Sequence, residues 1–460
     1  MINGALSEFA AAMAAEVYGG DTRFQGLSTD TRKVAAGQLF VALRGPRFDG
    51  HQFVGAAVAA GAAAVVVEQP IADLGVPQLI VSDAYQALGT FTRFWRQKLG
   101  TPLVAVTGSN GKTTVKNMLA AILRQDYEVL ATDGNYNNEV GVPLTLARLS
   151  SDHQQAVVEV GCSRRGDIAY LASLVRPDVA VVTNAASAHL EGLGDVAGVA
   201  REKGALYEGL SDRGWAVLNV DDGQADYWRS IIRERRVVSF GFSEQADVRV
   251  ENYRESAHGG GGAFQLASAH GQIDIELPLG GRHNAMNAAA AAAAALICGS
   301  TAEALAPGLA TVVPEAGRQQ LRTFARDIRV IDDSYNANPA SLAAAIDYAA
   351  TQPGSTWLAV GGMGELGEGS EQAHHDAGKY AVSAGVERIF AVGELSLPLV
   401  EGARAAGLDA AHHFGQHVQA LAALIEGLEP GVTLLVKGSR SAAMERVAKG
   451  VMAHLQREGS

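Results

Sequence analysis

Short apolar runs, glycine-containing turns and helix-length stretches recur along the whole chain. In the first hundred residues QLFVAL, AAVVVE and QLIVSD are candidate strands, and residues 85–99 form a candidate helix. LVAVTG then opens a second unit with a glycine-rich turn, a helix over residues 112–124, and further strands at QAVVEVG, DVAVVTN and WAVLNV. Short apolar runs alternating with helices predict a mostly parallel sheet covered on both faces. Residues 247–280 read differently: RVENYRES, AFQLASA and IDIELPL predict antiparallel pairing, with HGGGGAF as a flexible connection. A helix over residues 283–296 closes this unit. After VVPEAGRQQ, the strands IRVIDD, TWLAVGG, RIFAVG and TLLVKGS alternate with helices and predict a doubly wound, Rossmann-like sheet. The expected class is α/β in three domains: residues 1–100, a central mostly parallel sheet over 101–314, and 315–460.

Composition agrees with that count. The chain has 460 residues, about three times the ~150-residue norm for one domain. Lys and Arg number 37 against 49 Asp and Glu, for a net charge of −12, which argues against a general nucleic-acid or anionic-membrane binder. Two cysteines, Cys162 and Cys298, exclude a disulfide scaffold and a four-cysteine zinc site and fit a reducing cytoplasm. The N-terminal segment ALSEFAAAMAAEVYGG lacks a basic start and carries Glu8 and Glu16, so it is a poor signal peptide. The alanine-rich run ending at Cys298 is apolar for only eleven residues, short of the ~20 that span a bilayer, and reads as a buried helix. No membrane span and a cytoplasmic location are expected.

The chemistry begins at VTGSNGKTT, after a strand and at the start of a helix. Gly108 and Gly111 permit a tight loop whose backbone N–H groups, from Thr107 through Ser109, Asn110 and the helix start, converge on phosphate oxygens. Lys112 would neutralise the β- and γ-phosphates and the Thr113 hydroxyl would ligate Mg²⁺; Thr114 either joins the metal or caps the helix. The strict phosphate-loop spacing wants a glycine where this chain has Val106. The loop implies ATP or another nucleoside triphosphate without naming a reaction. The base-reading N-K-x-D of GTPases is missing, and no G-x-G-x-x-G turn follows the first strand of the third unit.

The segments TDTRKVAAGQLFVALRGPRFDGHQF, TGSNGKTT, GNYNNEVGVP, AHLEGLG with VAREKG, GRHNAMNAAAA, GRQQ, DDSYNANP and LVKGSRSAAME, in that order, resemble the Mur ligase family from about Asp30 to Met444. DDSYNANP and LVKGSRSAAME favour the member that adds D-alanyl-D-alanine to UDP-N-acetylmuramoyl-tripeptide, and the D-N-P-R segment of the diaminopimelate-adding sister is missing. The resemblance implies an ATP-dependent, ADP-forming peptide ligase of cytoplasmic peptidoglycan precursor synthesis. Phosphorylation turns an unreactive carboxylate into an acyl phosphate that an amine can attack, chemistry that needs cations and positioned donors rather than a protein nucleophile. The fold needs no partner to complete a core, which suits a monomer.

By the same resemblance Glu159, at the end of QAVVEV, binds Mg²⁺, and His189 in AHLEG ligates a second Mg²⁺. Read alone, Glu159, after a buried strand near the phosphate loop, favours a metal over a strand-end salt bridge, whereas a lone histidine is more often packed than ligating. Lys203 in VAREKGALY would be an ordinary surface lysine by periodicity; the family pattern implies carbamylation by CO₂, which turns the cation into a carboxylate-like ligand. Asn287 is placed near adenine, although Asn284 and Asn287 could instead cap their helix. Arg318 and Asp333 suit an ATP clamp, Asp332 being the competing carboxylate. Asn138 in GNYNNEVGVP falls to the substrate side. Asn336, Asn338, Lys437, Ser439 and Arg440 lie at strand ends suited to the incoming dipeptide, with Lys437 or Arg440 meeting its carboxylate or simply lying on a solvated face. Asp30, Thr31, Arg32, Asp49 and His51 match the UDP-sugar segment, with a turn-and-cap role open for the last two. The chain departs from the family at Cys162 and Arg164, where small or amide residues are common, and at Gly362, where Asp is common. Lys112→Ala is expected to abolish nearly all turnover while leaving the protein folded; near-normal turnover would contradict the nucleotide assignment.

Overall fold

The computed structural model describes residues 1–13, 15–45, 48–256 and 260–458. Residues Pro46 and Arg47 of the first-domain segment, and His258 and Gly259 of the expected flexible connection, lie outside them.

Nine strands form the central sheet, in the spatial order Val129–Ala131, Gln155–Glu159, Leu103–Thr107, Val179–Val182, Trp215–Asn219, Arg236–Gly241, Val248–Glu255, Gly262–Ser268 and Gly271–Leu277. The first seven are parallel, and the last two add antiparallel at one edge. Residues 247–280 thus pair antiparallel, as the pattern predicts, and they extend this same sheet rather than forming a separate one. Every residue of Leu103–Thr107, Gln155–Glu159 and Val179–Val182 is buried, which is why these strands read as unbroken apolar runs. Leu103–Thr107 lies between strands reached by crossovers in opposite directions, so its carboxyl end opens on the crevice where such sheets bind ligands.

A five-stranded sheet occupies the N-terminal part of the chain, and a six-stranded sheet the C-terminal part. The latter has the order Gln320–Thr323, Arg329–Asp333, Thr433–Lys437, Thr356–Gly361, Val386–Val392 and Ala411–Phe414, and only its first strand is antiparallel. Asp333 and Lys437 are register partners at the ends of adjacent strands, so pairing alone brings their side chains together.

The two joints between these units differ in chemistry. One apolar cluster runs from Ile2, Phe9 and Phe91 of the N-terminal part into Leu146, Leu171 and Val182 of the central part. Trp95 Nε1 adds a bond to the Leu149 carbonyl at 3.0 Å, and Arg96 pairs with Asp178 at 3.0 Å. The C-terminal sheet instead keeps its own two clusters, which contain no residue before Leu321. Its links to the central part are mostly side-chain hydrogen bonds. Apolar joints hold domains fixed, and polar ones of this kind permit relative motion.

The helix Arg282–Ile297 carries the alanine-rich run, and Ala288 to Ala295 are all 0% exposed. With only methyl groups on its flanks it packs directly against the phosphate-loop helix Lys112–Leu123 and the sheet. Ala291→Leu has no room there and should destabilise by about 1–3 kcal/mol, seen as a lower midpoint of thermal unfolding; an unchanged midpoint would show slack beside the helix.

Candidate active site

The phosphate loop is built by close approach. Gly108 has φ +152°, and a Cβ there would stand 1.8 Å from Thr183 Oγ1. Gly111 has φ +80°, and its Cβ would meet Asn287 Oδ1 at 2.3 Å. No L side chain fits either place. Between them, Ser109 N donates to the Asn184 carbonyl at 3.0 Å, and Asn110 N to Asn184 Oδ1 at 3.0 Å. The Asn110 carbonyl accepts from Thr183 Oγ1 at 2.6 Å and Asn184 Nδ2 at 3.1 Å. The loop after the neighbouring strand therefore clamps the phosphate loop and engages the Ser109 and Asn110 amides that were expected to face phosphate, and Asn184 is a residue the motif alone does not reveal.

Lys112 folds back onto the Gly108 carbonyl at 2.7 Å. Burial, with repulsion from Lys203 second, pushes its ammonium down to about 8. Thr113 is buried in the first helical turn, and Thr114 follows on the cavity wall. Glu159 is 1% exposed; Oε1 accepts from Asn137 Nδ2 at 2.7 Å, while Oε2 is buried with no hydrogen-bond partner among the described residues. A fully buried carboxylate oxygen without a donor is costly unless a cation completes it. His189 stands at φ +56°, and its Nδ1 pairs with Glu365, in the loop after the C-terminal strand Thr356–Gly361. Burial pushes this imidazole below its usual range; Glu365 opposes that, and the charges of Lys112 and Lys203 reinforce it.

Lys203 is 1% exposed, so the surface reading from periodicity fails. It sits behind the cavity wall, donating to Cys162 Sγ at 3.6 Å. Glu202, its neighbour, accepts from Gly166 N at 2.8 Å and Ile168 N at 2.7 Å, so consecutive residues of one helix anchor the Cys162–Ile168 segment.

These groups open into a cavity of about 920 Å³ between the central and C-terminal sheets. Its wall includes Ser109 to Thr114, Asn138, Glu159, Cys162, His189 and Asn287 on one side, and Arg318, Asp333, Asn336, Asn338 and Lys437 on the other. Asn287 lies against Gly111 and bonds Asn284 Oδ1 at 3.2 Å; Asn284 reaches the Gly280 carbonyl at 2.8 Å, and Gly281 holds the cap position. Arg318 lies over the Tyr335 ring at 4.0 Å, a stacking that holds its guanidinium on the cavity wall. Asp333 accepts from Gln319 N at 3.0 Å and from Lys437 Nζ, whereas Asp332 turns to Ser334 Oγ at 2.6 Å. Asn338 caps the helix Pro339–Ala350 and donates across the cavity to Asn110 Oδ1 at 2.7 Å.

Several expected residues are engaged differently or lie outside the cavity. Lys437 is 3% exposed and committed to Asp333 and the Asn336 carbonyl rather than open on a solvated face. Ser439 binds the Gly362 carbonyl at 2.6 Å, and Arg440 reaches Glu445 at 3.3 Å; neither lines the cavity. Asp30, Thr31, Arg32, Asp49 and His51 lie outside it as well. Asp30 caps the turn Thr31–Lys33, and its bonds to Arg32 hold its carboxyl down near about 2. Both nitrogens of His51 are engaged, by Asp49 Oδ1 at 2.7 Å and Glu68 N at 2.9 Å, which is the turn-and-cap arrangement. Gly362 has its reason too: a Cβ there would stand 2.5 Å from Leu395 Cβ.

Fold and site define a phosphate-loop α/β protein that encloses a nucleotide-sized cavity between two sheets. The chain belongs to the Mur ligase family: the Mur ligase middle domain matches residues 106–295, the Mur ligase glutamate ligase domain 317–440, and the Mur ligase family catalytic domain 23–94. It is similar to the UDP-N-acetylmuramoyl-tripeptide–D-alanyl-D-alanine ligase of Escherichia coli, 42% identical over 458 residues, covering 98% of this chain and 99% of the relative. The Bacillus subtilis ligase of the same name is 34% identical, covering 94% of each. Among solved structures, MurF from Acinetobacter baumannii superposes with a TM-score of 0.92 at 33% identity, covering 99% of each chain. MurF ligase from Thermotoga maritima in complex with ADP gives 0.84 at 27% identity, covering 94% of this chain and 98% of that one.

Lys112 gives a pH test. Phosphate oxygens would restore its pKa toward the ordinary lysine range. Between about 8 and that range, the free chain is deprotonated at Lys112 and the nucleotide-bound chain is protonated. ADP binding should therefore take up a proton, measurable by calorimetry in buffers of different ionisation enthalpy, and Lys112→Met should remove the uptake; no uptake in the parent chain would contradict the depressed lysine.

Proposed function

We propose that this chain joins D-alanyl-D-alanine to UDP-N-acetylmuramoyl-tripeptide, using ATP and releasing ADP and phosphate. One observation carries the reading: the phosphate loop, the unsatisfied Glu159 carboxylate and the Asp333–Lys437 strand ends face a single cavity. Near-full-length similarity to D-alanyl-D-alanine-adding ligases supports the same substrates.

In this reading Lys112 and the amides at the start of its helix hold the β- and γ-phosphates, and Asn287, packed against Gly111, lies toward the adenine. Arg318, stacked on Tyr335, and Asp333 clamp the nucleotide from the C-terminal side. The terminal carboxylate of the tripeptide attacks the γ-phosphorus, the bond to ADP breaks, and an acyl phosphate forms. The amine of D-alanyl-D-alanine attacks the acyl carbon, and the tetrahedral intermediate expels phosphate. Lys112 and these amides balance the charge that develops, and closing the cavity keeps water from the acyl phosphate.

Mg²⁺ fits the donors present. Glu159 offers a buried free oxygen, Thr113 a hydroxyl and His189 an imidazole, while no three His, Cys, Asp or Glu side chains cluster as a complete metal site among the described residues. That set suits an ion completing its shell with phosphate oxygens and water. Bound there, two Mg²⁺ ions would neutralise the phosphates. Lys203, buried against a thiol instead of a carboxylate, suits carbamylation at Nζ, which would add an anion beside Glu159 and His189.

Asn138 on one wall and Asn336 and Asn338 on the other serve the substrates. Asp49 and His51 shape the N-terminal loop that receives the UDP end together with Asp30, Thr31 and Arg32. Lys437 acts through Asp333, and Ser439 and Arg440 bear on the dipeptide by holding the loop beyond it. The domains divide at 100/101 and 314/315, and the enzyme works as a cytoplasmic monomer; among the described residues no helix is long and apolar enough to cross a membrane. The test is phosphate release from Mg-ATP with the UDP-tripeptide, with and without D-alanyl-D-alanine, alongside mass spectrometry of the UDP product. Release that needs both substrates and adds the dipeptide mass is expected; release stimulated by neither would overturn the reading.

A further inference from the structure

We propose that Glu365, from the C-terminal domain, is a positioning residue of the ligase site that sets the orientation and tautomer of His189 when the domains close. The proposal rests on the ligase reading of the cavity. Glu365 does not line the cavity and acts through His189, which does.

Two separate bonds tie Glu365 to one turn of the central domain. Its carboxylate Oε2 pairs with His189 Nδ1, and its carbonyl accepts from Glu191 N at 3.2 Å. Both ends of the contact are conformationally committed: His189 has φ +56° and Glu365 φ +61°, a region that side-chain-bearing residues seldom occupy. Gly367 completes the fit at φ +64°, its open side facing the Glu191 backbone. An ordinary surface ion pair needs neither the backbone bond nor two left-handed residues.

The chemical consequence follows from the imidazole. With a carboxylate on Nδ1, the ring carries its proton there and presents Nε2 as a lone pair. The carboxylate belongs to the domain whose links to the rest are mostly polar, so the pairing exists only with the domains together. Nucleotide enclosure and presentation of His189 Nε2 thereby become one event. The Asn110–Asn338 bond lies at the phosphate loop and cannot do this for His189.

Glu365→Ala, Glu365→Gln, His189→Ala and the double variant Glu365→Ala/His189→Ala would be compared with the parent in the full chain. For Glu365→Ala we expect kcat to fall about 10–100-fold, in line with removal of an outer partner of a ligating histidine, with KM for ATP little changed. Glu365→Gln, which keeps an acceptor for Nδ1–H, should recover part of the loss, and the double variant should be no worse than His189→Ala. Independently of turnover, ¹⁵N-histidine spectra should show His189 leaving the Nδ1–H tautomer in Glu365→Ala, and the Glu191 amide should exchange faster. Parent-like kcat, tautomer and exchange in Glu365→Ala would overturn the proposal, as would losses that add fully in the double variant. If the parent itself does not ligate, the ligase reading falls and the proposal with it; a ligating parent beside an indistinguishable Glu365→Ala removes the proposal alone.

Discussion

The rest of the structure depends on how closely the phosphate loop is approached by its neighbours. Gly108 touches Thr183 and Gly111 touches Asn287 at distances that leave no space for a methyl group. Those contacts hold the loop at the crevice at the end of Leu103–Thr107, and they require the helix carrying Asn287 to lie close against the loop's own helix. That closeness explains the alanines: eight consecutive residues, Ala288 to Ala295, are fully buried, and bulkier side chains would lift Asn287 away from Gly111. The alanine-rich helix, read from its composition as a buried one, is thus the spacer that sets the nucleotide site.

A second constraint is the contrast between the two joints. The N-terminal part shares an apolar cluster with the central part, so they move as one. The C-terminal domain brings Asp333, Asn338 and Lys437 to the cavity wall, and it meets the central domain through polar contacts such as Asn338–Asn110 and Glu365–His189, which can break and re-form in water. The site is therefore half rigid and half mobile. A rigid phosphate loop positions the electrophile, and a mobile wall admits two further substrates and then excludes water.

Much of this was legible in the sequence, for identifiable reasons. The buried parallel strands announced themselves as apolar runs, and the phosphate loop as glycines spaced around Lys112. Family resemblance, not periodicity, raised His189 and Lys203, and Lys203 shows why: a buried lysine on a helix leaves no periodic mark that separates it from a solvated one. Asn184, Tyr335 and Glu365 went unread because each acts on another site residue across a long sequence separation. Ser439 and Arg440 looked available at a strand end, yet the chain turns there and spends them on Gly362 and Glu445. The same limit applies to Lys437, whose partner is set by strand register with Asp333.

The central claim is that the cavity activates a carboxylate as an acyl phosphate. The most direct measurement uses UDP-tripeptide labelled with ¹⁸O in both oxygens of its terminal carboxylate, with ATP and D-alanyl-D-alanine, followed by mass analysis of the phosphate and the peptide product. The account predicts one ¹⁸O in each released phosphate and one retained in the new amide. Unlabelled phosphate accompanying the ligated product would contradict it.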